Sequence, residues 1–182
     1  MKRQKILVHI SLVALFATLI AAGTFIIIPL GPVPFVLQNM FAMLSGLLMG
    51  PFLGGGAVLL YLMAGAIGAP VFAGASGSFA HFLSPSGGYL YGYFLSAVVA
   101  GFIAGTPRLE AKISLWRTII AGALGLFVVY IPGIVQLKII LQCTYLEAFT
   151  YGFFPFLIGD AVKCTTAIVI APRLRRIVAG RL

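Results

Sequence analysis

Asp160 and Lys163 stand three residues apart inside the apolar run from Phe153 to Ala171. In a helix, positions i and i+3 share a face, so the carboxylate and the ammonium project into one spot. The chain has only 3 acidic residues. Placing one of them beside a lysine in hydrocarbon is costly unless both are paired and face protein or ligand. A carboxylate accepts and an ammonium donates, so together they form an acceptor–donor edge. That edge suits a small polar ligand bearing a urea, amide or imide group. A structural ion pair between helices and a proton relay through Asp160 are the alternatives.

The elements that must position this pair are membrane helices. The chain of 182 residues is 62% hydrophobic and 8% charged, too little charge to cover a soluble domain. No Lys, Arg, Asp or Glu occurs from Ile6 to Pro107. The apolar runs lack the alternation of a β-barrel. The pattern predicts one all-α integral membrane domain over residues 1–182, with six transmembrane helices. The first runs from about Ile6 to Ile28 and reads as a retained span rather than a signal peptide. The second and third are short, about Phe35 to Met49 and Phe52 to Ile67, broken at Gly50-Pro51. The fourth is about Gly87 to Gly105. The fifth is about Leu115 to Leu141, kinked near Pro132-Gly133. The sixth is about Tyr145 to Ile170, with Pro155 in its first turns and Pro172 near its end.

The formal charge of +9 is explained by position. Lys2, Arg3 and Lys5, then Arg108, Lys112 and Arg117, then Arg173, Arg175, Arg176 and Arg181 form three clusters at helix ends. Basic residues mark cytoplasmic loops. Both termini and the loop between the fourth and fifth helices are therefore expected in the cytoplasm of a cell-membrane protein. No basic stripe interleaves with aromatics, so nucleic acid is not an expected partner. Cys143 and Cys164 have neither metal-ligand nor disulfide spacing, and no metal site or cofactor is expected. No Gly-x-x-x-x-Gly-Lys-Ser/Thr phosphate loop is present, so energy for uphill transport must come from a partner chain or an ion gradient.

The outward loops carry the remaining candidates. Pro29, Gly31, Pro32 and Pro34 make a stiff segment after the first helix, a candidate lid or gate. Gly74, Ser76 and Ser78 lie in a Gly/Ser-rich loop, Gly68 to Ser86, whose small residues let backbone N–H groups approach a ligand carboxylate. Gly74-Ala-Ser-Gly77 with His81 is also similar to the nucleophile motif of rhomboid intramembrane proteases, which need their histidine on a separate helix. Tyr89 opens the fourth helix, as an interface anchor or a pocket wall. Phe35 and Gln38 begin the second helix; Gln38 or its neighbour Asn39 is expected to face the pocket. On the first helix, Ala14, Thr18 and Ala22, with Ala17 and Ala21, put small residues at four-residue spacing. Such faces serve close packing within the protein or docking of a second membrane protein.

In order and at their spacings, Gly31-Pro-Val-Pro-Phe35 with Gln38, Gly46-Leu-Leu-Met-Gly-Pro51, Leu60-Tyr-Leu through Pro70-Val-Phe-Ala-Gly74, Gly87-Gly-Tyr-Leu90 and Gly159-Asp-x-x-Lys163 resemble the BioY family. These are the biotin-specific S components, the substrate-capture subunits of prokaryotic energy-coupling factor transporters. Where the family pattern has two glycines, this chain has Gly74-Ala75. Where it has a further glycine, this chain has Ser78, and Ser84-Pro-Ser86 replaces Gly-Pro-Thr. The resemblance implies a six-helix S-component fold, biotin as the transported ligand, and docking on a transmembrane coupling protein with two ATPase subunits. The small-residue face of the first helix is similar to the docking surface of such subunits. Within that implication, Asp160 would accept from the ureido N–H groups and Lys163 would donate to the ureido oxygen. The carboxylate would lie toward Gly74 to Ser78. The reverse pose, with the carboxylate on Lys163, is less favoured because the ends of biotin are far apart. An S component for another vitamin, a stand-alone ion-coupled transporter and an intramembrane hydrolase are the rival readings.

Overall fold

The computed structural model describes residues 2–109 and 113–181. Lys112, counted above in the second basic cluster, lies outside them. The order is α1 (Lys2–Ala22), β1 (Ile27–Pro29), β2 (Pro34–Val36), α2 (Gln38–Ala66), α3 (Gly87–Ala104), α4 (Leu115–Leu141), α5 (Tyr145–Gly152) and α6 (Leu157–Ala179). Short 3-10 turns cover Phe79–Leu83 and Phe154–Phe156. By length and composition, five segments are able to cross a membrane: Arg3–Ala22, Gln38–Ala66, Gly87–Ala104, Leu115–Leu141 and Tyr145–Ala179.

The sequence expectation differs from the structure in three places that bear on the site. The first helix ends at Ala22, not Ile28. Thr24 Oγ1 donates to the Ala21 carbonyl at 2.7 Å, and the β-branched run Ile26–Ile28 then favours extended backbone. Ile27–Pro29 pairs antiparallel with Pro34–Val36, with Ile27 opposite Val36 and Pro29 opposite Pro34. Phe35 is therefore a strand residue, and the proposed lid is the tip of a two-stranded ribbon. The fold is mostly helical rather than strictly all-α. The last expected helix is also interrupted. Pro155 falls in the turn between α5 and α6, and α6 then runs through Pro172 to Ala179.

α2 is two helical arms joined at a kink at Gly50, where φ is 82° and ψ is −178°. Glycine tolerates that conformation, and Pro51 supplies no N–H to the ladder. The two arms fold against each other. Ser45 Oγ lies 3.1 Å from the Gly54 carbonyl, and a Cβ on Gly54 would stand 2.6 Å from Gly46 Cα. In a straight helix, residues eight apart are separated by ~12 Å.

α2, α3 and α4 pack side by side, α1 lies along α2, and α6 touches both α2 and α4. Glycine makes the close approaches possible. A Cβ on Gly88 would meet the Pro132 carbonyl, and one on Gly92 would stand 2.5 Å from the Val129 carbonyl. Gly46 lies against the Ala97 carbonyl of α3, whereas Gly56 faces open space. Gly46→Val should therefore destabilise the fold by ~1–3 kcal/mol through overpacking, with Gly56→Val near neutral. Thermal unfolding in detergent checks this, and equal midpoints for the two variants would contradict the packing.

Candidate functional site

Asp160 lies in the first turn of α6, where the helix dipole favours a negative charge. It is 4% exposed, and Lys163 is 6% exposed. Their charged groups are 2.6 Å apart. The ammonium also donates to the Val36 carbonyl at 2.8 Å and to Asn39 Oδ1 at 2.9 Å. Asn39 Nδ2 in turn donates to Asp160 Oδ1 at 3.0 Å, and the Tyr130 hydroxyl donates to Asp160 Oδ2. The three N–H donors of Lys163 thus have three acceptors, and both oxygens of Asp160 are engaged. The Phe35 ring covers the ammonium with its centroid 3.7 Å from Nζ, a cation–π contact. Phe35 stacks on Phe156 at 6.4 Å. It seats against Gly159, where any side chain would overlap the ring.

Around the pair lies a cavity of about 20 Å³ lined by Val33, Pro34, Asn39, Tyr89, Tyr93 and Tyr130, among others. That is room for one water, not for an organic ligand. A second, mostly apolar cavity of about 360 Å³ opens between α4 and α6. Tyr130 and Asp160 line both cavities, so their hydrogen bond forms part of the wall between them.

The ribbon roofs the small cavity. At its root Leu37 N donates to the Gly23 carbonyl at 3.0 Å. At its tip Gly31 has φ +117° and no neighbour within 4 Å of its Cβ position. Pro34 lines the cavity wall, whereas Pro29, Gly31 and Pro32 belong to the exposed β1 end and tip. Tyr89 also lines the cavity, with its hydroxyl donating to the Gly152 carbonyl at 2.8 Å. Gln38 lines a small adjoining cavity rather than the one around the pair. It accepts from the Tyr61 hydroxyl at 2.7 Å and donates to the Tyr93 hydroxyl at 3.2 Å.

The glycine- and serine-rich loop approaches through other residues than those expected. Ala73, His81 and Ser86 line a small adjoining cavity of about 20 Å³ that shares Pro34, Tyr89 and Tyr93 with the first. Gly74, Ser76 and Ser78 line neither. Gly74 and Ala75 have positive φ in a tight turn, and Ser78 Oγ accepts from Ala80 N to start the 3-10 turn. Ser76 Oγ donates to the Ala73 carbonyl at 2.9 Å and lies 3.3 Å from His81 Nδ1. With its one proton on Ala73, the serine gives none to the imidazole. That is not the arrangement of a base activating a nucleophile. Burial holds the His81 imidazole below its ordinary pKa, hence neutral at pH 7.

On α1 the small residues divide. Ala17 is buried and Ala21 half-buried against the core, while Ala14, Thr18 and Ala22 face outward. Missed by sequence reasoning as site residues were Tyr93, Tyr130 and Phe156, and the backbone carbonyl of Val36. Tyr130 sits two residues before Pro132 in an apolar helix, with no local pattern to mark it. Asn39 was legible only as one of two adjacent amides. It bridges both charges, so Asn39→Leu should strand buried polar groups and cost ~1–3 kcal/mol. A fall of several degrees in the unfolding midpoint is expected, and an unchanged midpoint would contradict the network.

Residues 1–180 match the model of the BioY family. A probable biotin transporter BioY of Pyrococcus horikoshii is 40% identical over 92% of this chain and 96% of its own length. The biotin transporter BioY of Thermotoga maritima is 38% identical over 92% of this chain and 95% of its own. The crystal structure of the S-component for biotin from an ECF-type ABC transporter superposes with a TM-score of 0.84. It is 30% identical, and the match covers 97% of this chain and 94% of that one. The chain is a multi-pass membrane protein and belongs to the BioY family.

Proposed function

We propose that this chain is the substrate-capture subunit for biotin uptake, binding biotin at the Asp160–Lys163 pair and releasing it inward after docking on an energising module. The observation that carries the reading is the buried, fully hydrogen-bonded pair under the β1–β2 ribbon, in a chain of this family. Asp160 accepts from the ureido N–H groups and Lys163 donates to the ureido oxygen. The Val36 carbonyl now occupies one of the three ammonium donors. Withdrawal of β2 frees that donor, and the ureido oxygen replaces the lost carbonyl. The same motion removes Phe35 from above the ammonium and enlarges a cavity too small for the ligand. Pro29, Gly31, Pro32 and Pro34 form the moving tip, and the Gly23–Leu37 contact marks the hinge. Tyr89, Tyr93 and Phe156 wall the apolar rings. The valerate carboxylate reaches the Gly68–Ser86 loop, where Ser76, Ser78 and backbone N–H groups near Gly74 turn toward it on closure.

The kinked α2 counts as two crossings, which makes six helices in one domain and leaves both basic termini in the cytoplasm of a prokaryotic cell membrane. The outward row Ala14, Thr18 and Ala22 is the docking face for a transmembrane coupling protein carrying two ATPase subunits, while Ala17 and Ala21 seat α1 on its own core. Partner docking favours the open, low-affinity state. No catalytic residue and no cofactor enter this scheme.

Titration calorimetry of the purified chain tests it. Biotin should bind the parent tightly. Asp160→Asn and Lys163→Met should each weaken binding about tenfold or more, the scale of a charged hydrogen bond. A folded parent that does not bind biotin would overturn the ligand, and unaffected variants would overturn the site.

A further inference from the structure

A second polar centre lies at the opposite end of the helices from the ribbon. Arg108, Arg117 and Arg175 line a cavity of about 240 Å³ together with Gly105 and Thr106. Arg175 is 7% exposed. It ties the kink of α2 to the end of α3, donating to the Leu47 carbonyl three residues before Gly50 and, at 3.1 and 2.9 Å, to the Ala104 and Gly105 carbonyls. Arg117 Nε donates to the Ile103 carbonyl of the same helix end. Gly105 turns out of α3 at φ +72°, and a Cβ there would stand 3.2 Å from Arg117 Nη2. The missing side chain keeps the cavity floor open beside the guanidinium.

Three guanidiniums exceed what these carbonyls neutralise, since a helix C-terminus offers about half an elementary charge. Among the described residues, the one ion pair is Asp160 with Lys163. The neighbouring Glu110 and Lys112 lie outside those residues, and their formal charges cancel. Beside this positive cavity the surface turns apolar. Trp116 is 75% exposed, and Leu109 and Leu115 are also exposed. A tryptophan of this kind sits at the membrane interface. Guanidiniums with an adjoining apolar surface match a phosphate that carries acyl chains better than a free anion.

We propose that this cavity binds the phosphate group of an acidic phospholipid, held by Arg108, Arg117 and Arg175 with its chains along the surface around Trp116. The lipid would complete the charge balance of the arginine staple that joins α2, α3 and α6. This assignment does not depend on the identity of the transported ligand.

The single tryptophan of the chain is a built-in reporter. Detergent-solubilised protein is titrated with phosphatidylglycerol or phosphatidylcholine carrying brominated chains, and quenching of Trp116 fluorescence is read. Saturable quenching by the glycerol lipid at concentrations where the choline lipid gives none is expected. Arg108→Gln with Arg117→Gln should raise the half-saturation concentration about tenfold or more; Arg175 is left intact because it ties α2 to α3. Arg173→Gln with Arg176→Gln removes the same charge from exposed positions outside the cavity and should leave the titration unchanged. Equal quenching by both lipids, or equal loss in both double variants, would overturn the proposal. Displacement by inorganic phosphate as effective as by the lipid would make this a soluble-anion site and overturn the lipid assignment. Binding of neither would do the same and leave the cavity to an acidic protein partner.

Discussion

A buried aspartate and lysine are tolerable only when nearly every lone pair and proton between them is used. The arrangement of the ribbon end of this protein follows from that requirement. α6 supplies both charges one turn apart, and α2 supplies Asn39, whose amide meets both. α4 supplies the Tyr130 hydroxyl, and the ribbon supplies the Val36 carbonyl. Four separate elements therefore converge on two side chains. Moving α2, α4 or the ribbon removes a hydrogen bond from the pair while the ion pair within α6 stays. The ribbon is the element best able to move, being two short strands with an exposed tip.

The scaffold holds the convergence by close backbone contact rather than by large side chains. Gly88 and Gly92 bring α3 against α4, and Gly133 and Gly152 make room for the Tyr89 ring. Gly159 does the same for Phe35. Small residues let helices approach in lipid, where no hydrophobic force drives them together. At the other end the charge logic is inverted. Arg175 is hydrogen-bonded to carbonyls at the kink of α2 and the end of α3 and has no carboxylate partner among the described residues. One end is an ion pair closed by neutral groups, and the other is a cation closed by backbone carbonyls.

Much of this was legible in the chain before its structure. Charge scarcity marks a membrane protein. The i, i+3 spacing of Asp160 and Lys163 marks a shared helical face, and the glycine at Gly50 marks the break in α2. What escaped was tertiary. Ile26 to Ile28 read as the end of an apolar helix, because a three-residue strand leaves no periodicity distinct from a buried run. Tyr130 and Tyr93 sit in helices where aromatics are common, and nothing local separates a pocket hydroxyl from an interface anchor. Gln38 and Asn39 are adjacent amides, and only the direction of the helix decides which meets the charges. Composition points the turn serines at a ligand carboxylate, whereas in this structure their hydroxyls serve the loop itself.

A structure of the protein grown with biotin decides whether the Asp160–Lys163 pair is the ureido-binding edge and the ribbon its lid. The ureido oxygen is expected within hydrogen-bond distance of Lys163 Nζ in place of the Val36 carbonyl, as the proposed pose predicts. The same pose puts ureido N–H groups on Asp160 and directs the valerate to the Gly68–Ser86 loop. Biotin bound away from the pair, or with its carboxylate on Lys163, would contradict it.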